Sequence, residues 1–160
     1  MSLLDYQRDK TTARGILLNL VVKKKQVIYG GQSINKQLPR GLRKKTKDYD
    51  ILTKQPEESA KELVNQLNKE YGYEKYKSIP AKYPKTFKVK DIETGETIAD
   101  YTRTTKKPKS INELGVRYAK LDYQENKIKK ILKDEASKFR HDKDMDTLMR
   151  IKKAKEKRVF

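Results

Sequence analysis

Apolar residues recur at Ala13, Ile16, Leu17, Leu20 and Val21, a spacing that predicts an amphipathic helix from Leu4 to Val22, weakened at Gly15. The pattern then switches. QVIYGG reads as a short buried strand closed by a tight turn, SINKQL as a short helix with Ser33 near its start and Pro39 at its stop, and DYDILT as a second strand reached through the basic loop RGLRKKTK. Pro56, Glu57 and Glu58 make a first turn suited to a helix dipole, and Ala60, Leu63, Val64, Leu67 and Tyr71 form one apolar stripe before Gly72 ends that helix. YEKYKSI reads as an edge strand, interrupted by Pro80 and Pro84. Alternation through Phe87, Val89, Ile98 and Asp100 across DIETGET predicts a β-hairpin turning near Gly95, with a carboxylate on the inward face of its second strand. After the basic linker RTTKKPKS, the register of Leu114, Tyr118, Leu121, Ile128 and Leu132 predicts one long helix from Asn112 to Ala136. A last helix, Asp144 to about Lys157, carries Met145, Leu148 and Met149 on one side. The order predicts an α+β fold: a small mixed or antiparallel sheet flanked by helices, with helices at both ends and one domain over residues 1–160.

Composition narrows the function. Only 34% of the 160 residues are apolar and 39% are charged, and 40 Lys and Arg against 22 Asp and Glu leave a formal charge of +18. Such an excess repels itself unless an anionic partner screens it, so nucleic acid or nucleotide phosphate is the expected partner. With no cysteine, a disulfide framework and a thiolate metal site are both excluded. No apolar run approaches the ~20 residues of a membrane span, so a cytoplasmic protein without a membrane partner is expected.

Candidate chemistry concentrates between Val27 and Leu52. A glycine turn that opens a helix can hold an anion on its unpaired amides, and Gly30, Gly31 and Ser33 have that form. Taken alone, a strand followed by Gly-Gly is as readily a tight connection. Asp48 and Asp50, two apart on a strand, project from one face while Tyr49 and Ile51 point into the core behind. Two adjacent acids repel unless a cation lies between them, although a solvated strand edge would also carry them. Magnesium takes carboxylate and phosphate oxygens, and a third carboxylate completes a two-metal site; Asp100, on the hairpin strand, is the best-placed candidate.

GGQSIN followed by DYDIL and later IADYT resembles the core of the polymerase-beta-like nucleotidyltransferase superfamily, over about Val27 to Thr102. More narrowly, YGGQSINK, KTKDYDI, YAKLDYQ and FRHDKDMDTLMRIK are similar to the viral poly(A) polymerase catalytic subunits of large DNA viruses. The resemblance implies a nucleotidyltransferase sheet over 25–104 and a basic helical segment over 110–160. It puts Asp48, Asp50 and Asp100 on three acids that bind magnesium or manganese, with Asp100 helping to deprotonate the incoming hydroxyl. Gly30, Gly31 and Ser33 fall on the triphosphate-holding turn, and Asn35 on a polar position of the following helix. The implied reaction moves a nucleoside monophosphate, usually AMP from ATP, with release of pyrophosphate; a viral source would place it in host cytoplasm. The insert between Gly31 and Asp48 is long and very basic, and two terminal helical segments stand where those polymerases carry further domains, so single-nucleotide transfer is the narrower expectation.

Clusters of cations fit a phosphate backbone: Arg43, Lys44 and Lys45 in the loop, Lys129, Lys130, Lys133 and Arg140 further on, and Arg150 in the last helix. Lysine on a helix is also the commonest solvated residue. Among 10 tyrosines, Tyr118 on the predicted long helix is the candidate for stacking on adenine. His141, the single histidine, is expected to be structural. The expected function is transfer of a nucleoside monophosphate to a nucleic-acid 3' end, with a homodimer or larger partner as a possible assembly. The alternatives are adenylylation of a protein or small molecule, and a catalytically silent nucleic-acid-binding scaffold.

Overall fold

The first helix, α1, is seen from Ala13 to Lys23; the earlier part of that reading, residues 4–10, lies outside the described residues 11–157 of this computed structural model. Thr12 caps it by accepting the Gly15 amide at 3.0 Å, which satisfies one of the orphan donors of a helix start. β1 (Val27–Tyr29) leads directly into α2 (Gly30–Gln37), and an extended basic loop with a short 3-10 turn (Arg40–Leu42) returns the chain to β2 (Tyr49–Thr53). Helix α3 (Pro56–Tyr71) ends on Gly72, whose φ of 81° supplies the left-handed cap. Then come β3 (Tyr76–Pro80), β4 (Thr86–Asp91) and β5 (Thr97–Arg103), and after them β6 (Ser110–Glu113), β7 (Val116–Ala119), α4 (Leu121–Leu132) and α5 (His141–Lys157).

Among the described residues the strands form one mixed sheet of order β3-β4-β5-β2-β1-β7-β6. β2 runs antiparallel to β1 and parallel to β5, and β1 runs parallel to β7. The α+β architecture expected from the sequence is present, with β3 at the edge.

Side-chain parity decides what each face does. Helices α1 and α3 cover one face, where Leu17, Val21, Ile28, Ile51, Leu63, Val89 and Tyr101 form the main core. A smaller core joins α2, α4 and α5 through Ile34, Leu38, Leu121, Ile128, Leu148 and Ile151. Residues one step out of phase with the main core point to the sheet's other face. There Asp50 of β2 lies beside Asp100 of β5, and Lys88 of β4 lies beside Asp100 in turn. Asp100 is therefore not inward in the sense of sharing the core with Phe87 and Val89; Ala99 and Tyr101 fill that role, and Asp100 faces away from it.

The largest correction concerns residues 110–136. Instead of one helix from Asn112, β6 and β7 form a hairpin, and the helix begins only at Leu121. Its two-residue loop is Leu114-Gly115, with φ of 54° and 88°, the pair of positive values that a type I′ turn requires and a helix cannot contain. The sheet consequently extends beyond residue 104. In α5 the buried side is Leu148, Ile151 and Ala154, whereas Met145 and Met149 are 47% and 54% exposed.

Candidate active site

One oxygen from each of Asp48, Asp50 and Asp100 lies within 4.8 Å of the others, a donor set fitted to divalent cations that take oxygen ligands. The parallel pairing of β2 with β5 sets Asp50 against Asp100. Asp48 stands just ahead of β2 and is aligned by the loop before it. Thr46 Oγ1 donates to Asp48 Oδ1 at 3.4 Å, Gln32 donates to the Thr46 carbonyl, and both ends of the Asn35 amide bond the backbone of Lys44. The polar position Asn35 thus pins the basic loop to α2.

Electrostatics record the crowding. Burial, then the charges of Asp48 and Asp100, push the Asp50 carboxyl up to about 7, against the opposing pull of Lys127 and Lys143. Burial and Asp48 raise Asp100 to about 6, with Lys88 opposing. Acids that resist ionising together are relieved by a cation set among them, which is the chemical fit of this triad to divalent metal.

The glycine turn contributes in a different way from a simple phosphate cradle. Gly30 begins α2 with φ of 72°, and a Cβ on it would overlap Asp50 Oδ2, so a side chain there cannot coexist with the present Asp50 rotamer. A Cβ on Gly31 would meet Thr46 Oγ1 at 3.1 Å. The two glycines allow the loop and the carboxylate to lie against the helix start. The Gly30 amide is itself taken by Gln124 Oε1 at 3.0 Å. Ser33 was expected to hold triphosphate; it is instead fully buried, its hydroxyl donating to the Ala119 carbonyl at 2.7 Å and facing the amides of Gln124 and Gln37. It fastens α2 to β7.

Tyr118 is also displaced from its expected role. It lies on β7 rather than a helix, 3% exposed and packed into the main core, where no base can stack on it. Of the expected nucleic-acid contacts, Lys44, Lys45, Lys130 and Lys133 are exposed or half-exposed, as is Arg43, whose Nε donates to the Leu38 carbonyl. Lys44 also stands 4.0 Å from Asp146, and others have closer protein partners. Arg140 holds Asp144 with two hydrogen bonds, Arg150 bonds Asp146 and the Leu42 carbonyl, and Lys129 pairs with Glu125. The His141 ring meets the Ile131 and Asp134 carbonyls, the structural role expected of it.

Sequence reading missed Lys127. It lies on α4 one turn after Gln124, the residue that seals Gly30, and its ammonium stands 4.0 Å over the Tyr29 ring. Burial lowers its pKa while Asp50 opposes that shift, which puts a desolvated cation beside the carboxylates. The Tyr29 hydroxyl meets Thr102 at 3.0 Å, extending the polar face along β5. A rim of aromatics stands nearby: Phe139, 62% exposed, stacks loosely on Tyr83, and Arg140 reaches the Tyr83 hydroxyl at 3.5 Å. The i, i+3 relation of Gln124 to Lys127 was the available signal; the pairing of residues 83 and 139 had none, because it joins segments far apart in sequence.

Comparison with known proteins follows the same outline. The sequence matches the family described as poly(A) polymerase catalytic subunit over residues 15–136. The fold is similar to the crystal structure of the Megavirus polyadenylate synthase, with a TM-score of 0.73 and 18% identity, over 94% of this chain and 32% of that one. The chain thus spans about a third of the length of that solved protein. No curated protein matches the sequence.

Proposed function

Because this chain belongs to the poly(A) polymerase catalytic subunit family, we propose that it is a nucleotidyltransferase that moves a nucleoside monophosphate, in the simplest case AMP from ATP, onto the 3' hydroxyl of a nucleic acid. The observation that carries the reading is the convergence of Asp48, Asp50 and Asp100 on the sheet face turned away from the main core, against the Gly30–Gly31 start of α2.

In this reading Asp48, Asp50 and Asp100 would hold divalent ions, magnesium or manganese, which would supply Lewis-acid charge for the transfer. Asp50, pressed against Gly30, has little freedom to turn away, so the acids are positioned before substrate arrives. Asp100, on the strand beside Asp50, accepts the proton of the attacking hydroxyl. Lys127 offers a fixed positive charge beside the site where the triphosphate carries its negative charge. The cations Lys44, Lys45, Lys130 and Lys133, with the net charge of +18, support a polyanionic acceptor.

The test is incubation of the purified chain with α-labelled ATP, magnesium and an RNA oligonucleotide. Label on the RNA is expected, and none with the Asp48→Ala, Asp50→Ala double variant. Label confined to protein would replace the acceptor, and an unchanged signal from the double variant would overturn the site.

A further inference from the structure

At the opposite end of β2 and β5 from the start of the carboxylate triad lies a cavity of about 360 Å³ that contains none of those acids. Asp50 and Thr53 are three residues apart on β2, so about 10 Å of strand separates the two sites. The size suits a nucleotide-scale ligand. Lys24, Lys54 and Lys107 line it, together with Gln55 at the start of α3, and no carboxylate does.

A further observation points to a ligand. Lys107 is held in place by donating its ammonium to the Lys25 carbonyl at 2.5 Å, although burial and the charges of Arg117, Lys54 and Lys25 all lower its pKa. Lys24 is paired with Glu62, but Lys54 and Lys107 make no ion pair among the described residues. Cations kept together without a counter-ion are relieved by an anion. Gln26, 5% exposed, also lines the cavity, its amide meeting Ser59 Oγ at 3.2 Å. Clustered ammonium groups around a cavity of this size match a ligand that carries phosphate.

We infer that this cavity is a second nucleic-acid site, taking a backbone phosphate of a single strand at a distance from the carboxylates. The inference rests on the proposed nucleic-acid acceptor, and it assigns a place for the part of that strand away from its reacting end.

The test is anisotropy of a fluorescein-labelled 15-nucleotide single-stranded RNA, titrated at several salt concentrations without ATP or metal. Lys54→Ala with Lys107→Ala should weaken binding about tenfold at low salt and flatten the log–log salt slope by about 1.4, near 0.7 for each phosphate no longer neutralised. Lys69→Ala with Lys77→Ala, an equal change of charge away from the cavity, is the control and should leave the slope within about 0.3 of the parent. If the double variant melts early, Lys54→Ala alone is read the same way, with a change of about 0.7. Equal effects in the two pairs, or an unchanged slope at Lys54, would overturn the site. A chain that binds RNA through Lys54 yet transfers no label would overturn the reaction and leave this site standing.

Discussion

Neutralising one acid of the triad should stabilise the metal-free protein while abolishing transfer. The perturbation is Asp50→Asn, which keeps shape and removes charge. A carboxyl moved from its ordinary 3.8 to about 7 carries a penalty on its charged form of about 4 kcal/mol, at about 1.36 kcal/mol per tenfold change in proton affinity. The replacement amide is still desolvated against Gly30, so a net gain of about 2 kcal/mol is expected at pH 8, or ~4 to 8 °C in Tm for a chain of this size. The pH dependence follows from the sign of the shift. The folded protein binds the Asp50 proton more tightly than the unfolded chain does, so the parent protein loses stability as pH rises from about 4 to about 7. The variant lacks that loss, so with a net gain of about 2 kcal/mol at pH 8 its Tm curve should start below the parent's near pH 4, cross it between about pH 5 and 6, and stay above it beyond about pH 7. Calorimetry in EDTA gives both curves, and added magnesium should raise the parent's Tm and not the variant's. An Asp50→Asn protein that melts at or below the parent at pH 8 would refute the argument that the three acids repel one another.

Three other outcomes follow from single contacts. Gly30→Ala should reduce transfer by about a hundredfold or more and cost about 1–3 kcal/mol in denaturant unfolding, because its Cβ falls on Asp50 and its φ is positive. Ser33→Ala should cost about 1 kcal/mol by removing one of the donors to the Ala119 carbonyl, which keeps the Gln37 amide, and the hydroxyl that the Gln124 amide faces, with KM for ATP unchanged; a raised KM at full stability would restore the phosphate role. Lys127→Met removes a charge that holds the Asp50 carboxyl down, so the acid limb of the transfer pH profile should move upward, whereas an unmoved limb would separate Lys127 from the triad.

What could be read from the sequence and what could not divide along one physical line. Period-2 alternation is local, so Tyr49 and Ile51 were assigned to the core and Asp48 and Asp50 to the other face without knowledge of any partner strand. The distant Asp100 was reachable because its hairpin is also local. Residues 112–121 failed because Leu114, Tyr118 and Leu121 satisfy a helical spacing by coincidence, while the deciding contact, Tyr118 beside Ile28 on β1, joins segments far apart in sequence. Ser33 failed for the same reason. A hydroxyl one turn into a glycine-led helix looks like an anion ligand until β7 is known to lie behind it. The missed hairpin has a functional consequence. By placing Ala119 under α2 and starting α4 at Leu121, it brings Gln124 to the Gly30 amide and Lys127 over Tyr29, so the segment read as a basic helical one also closes one side of the triad.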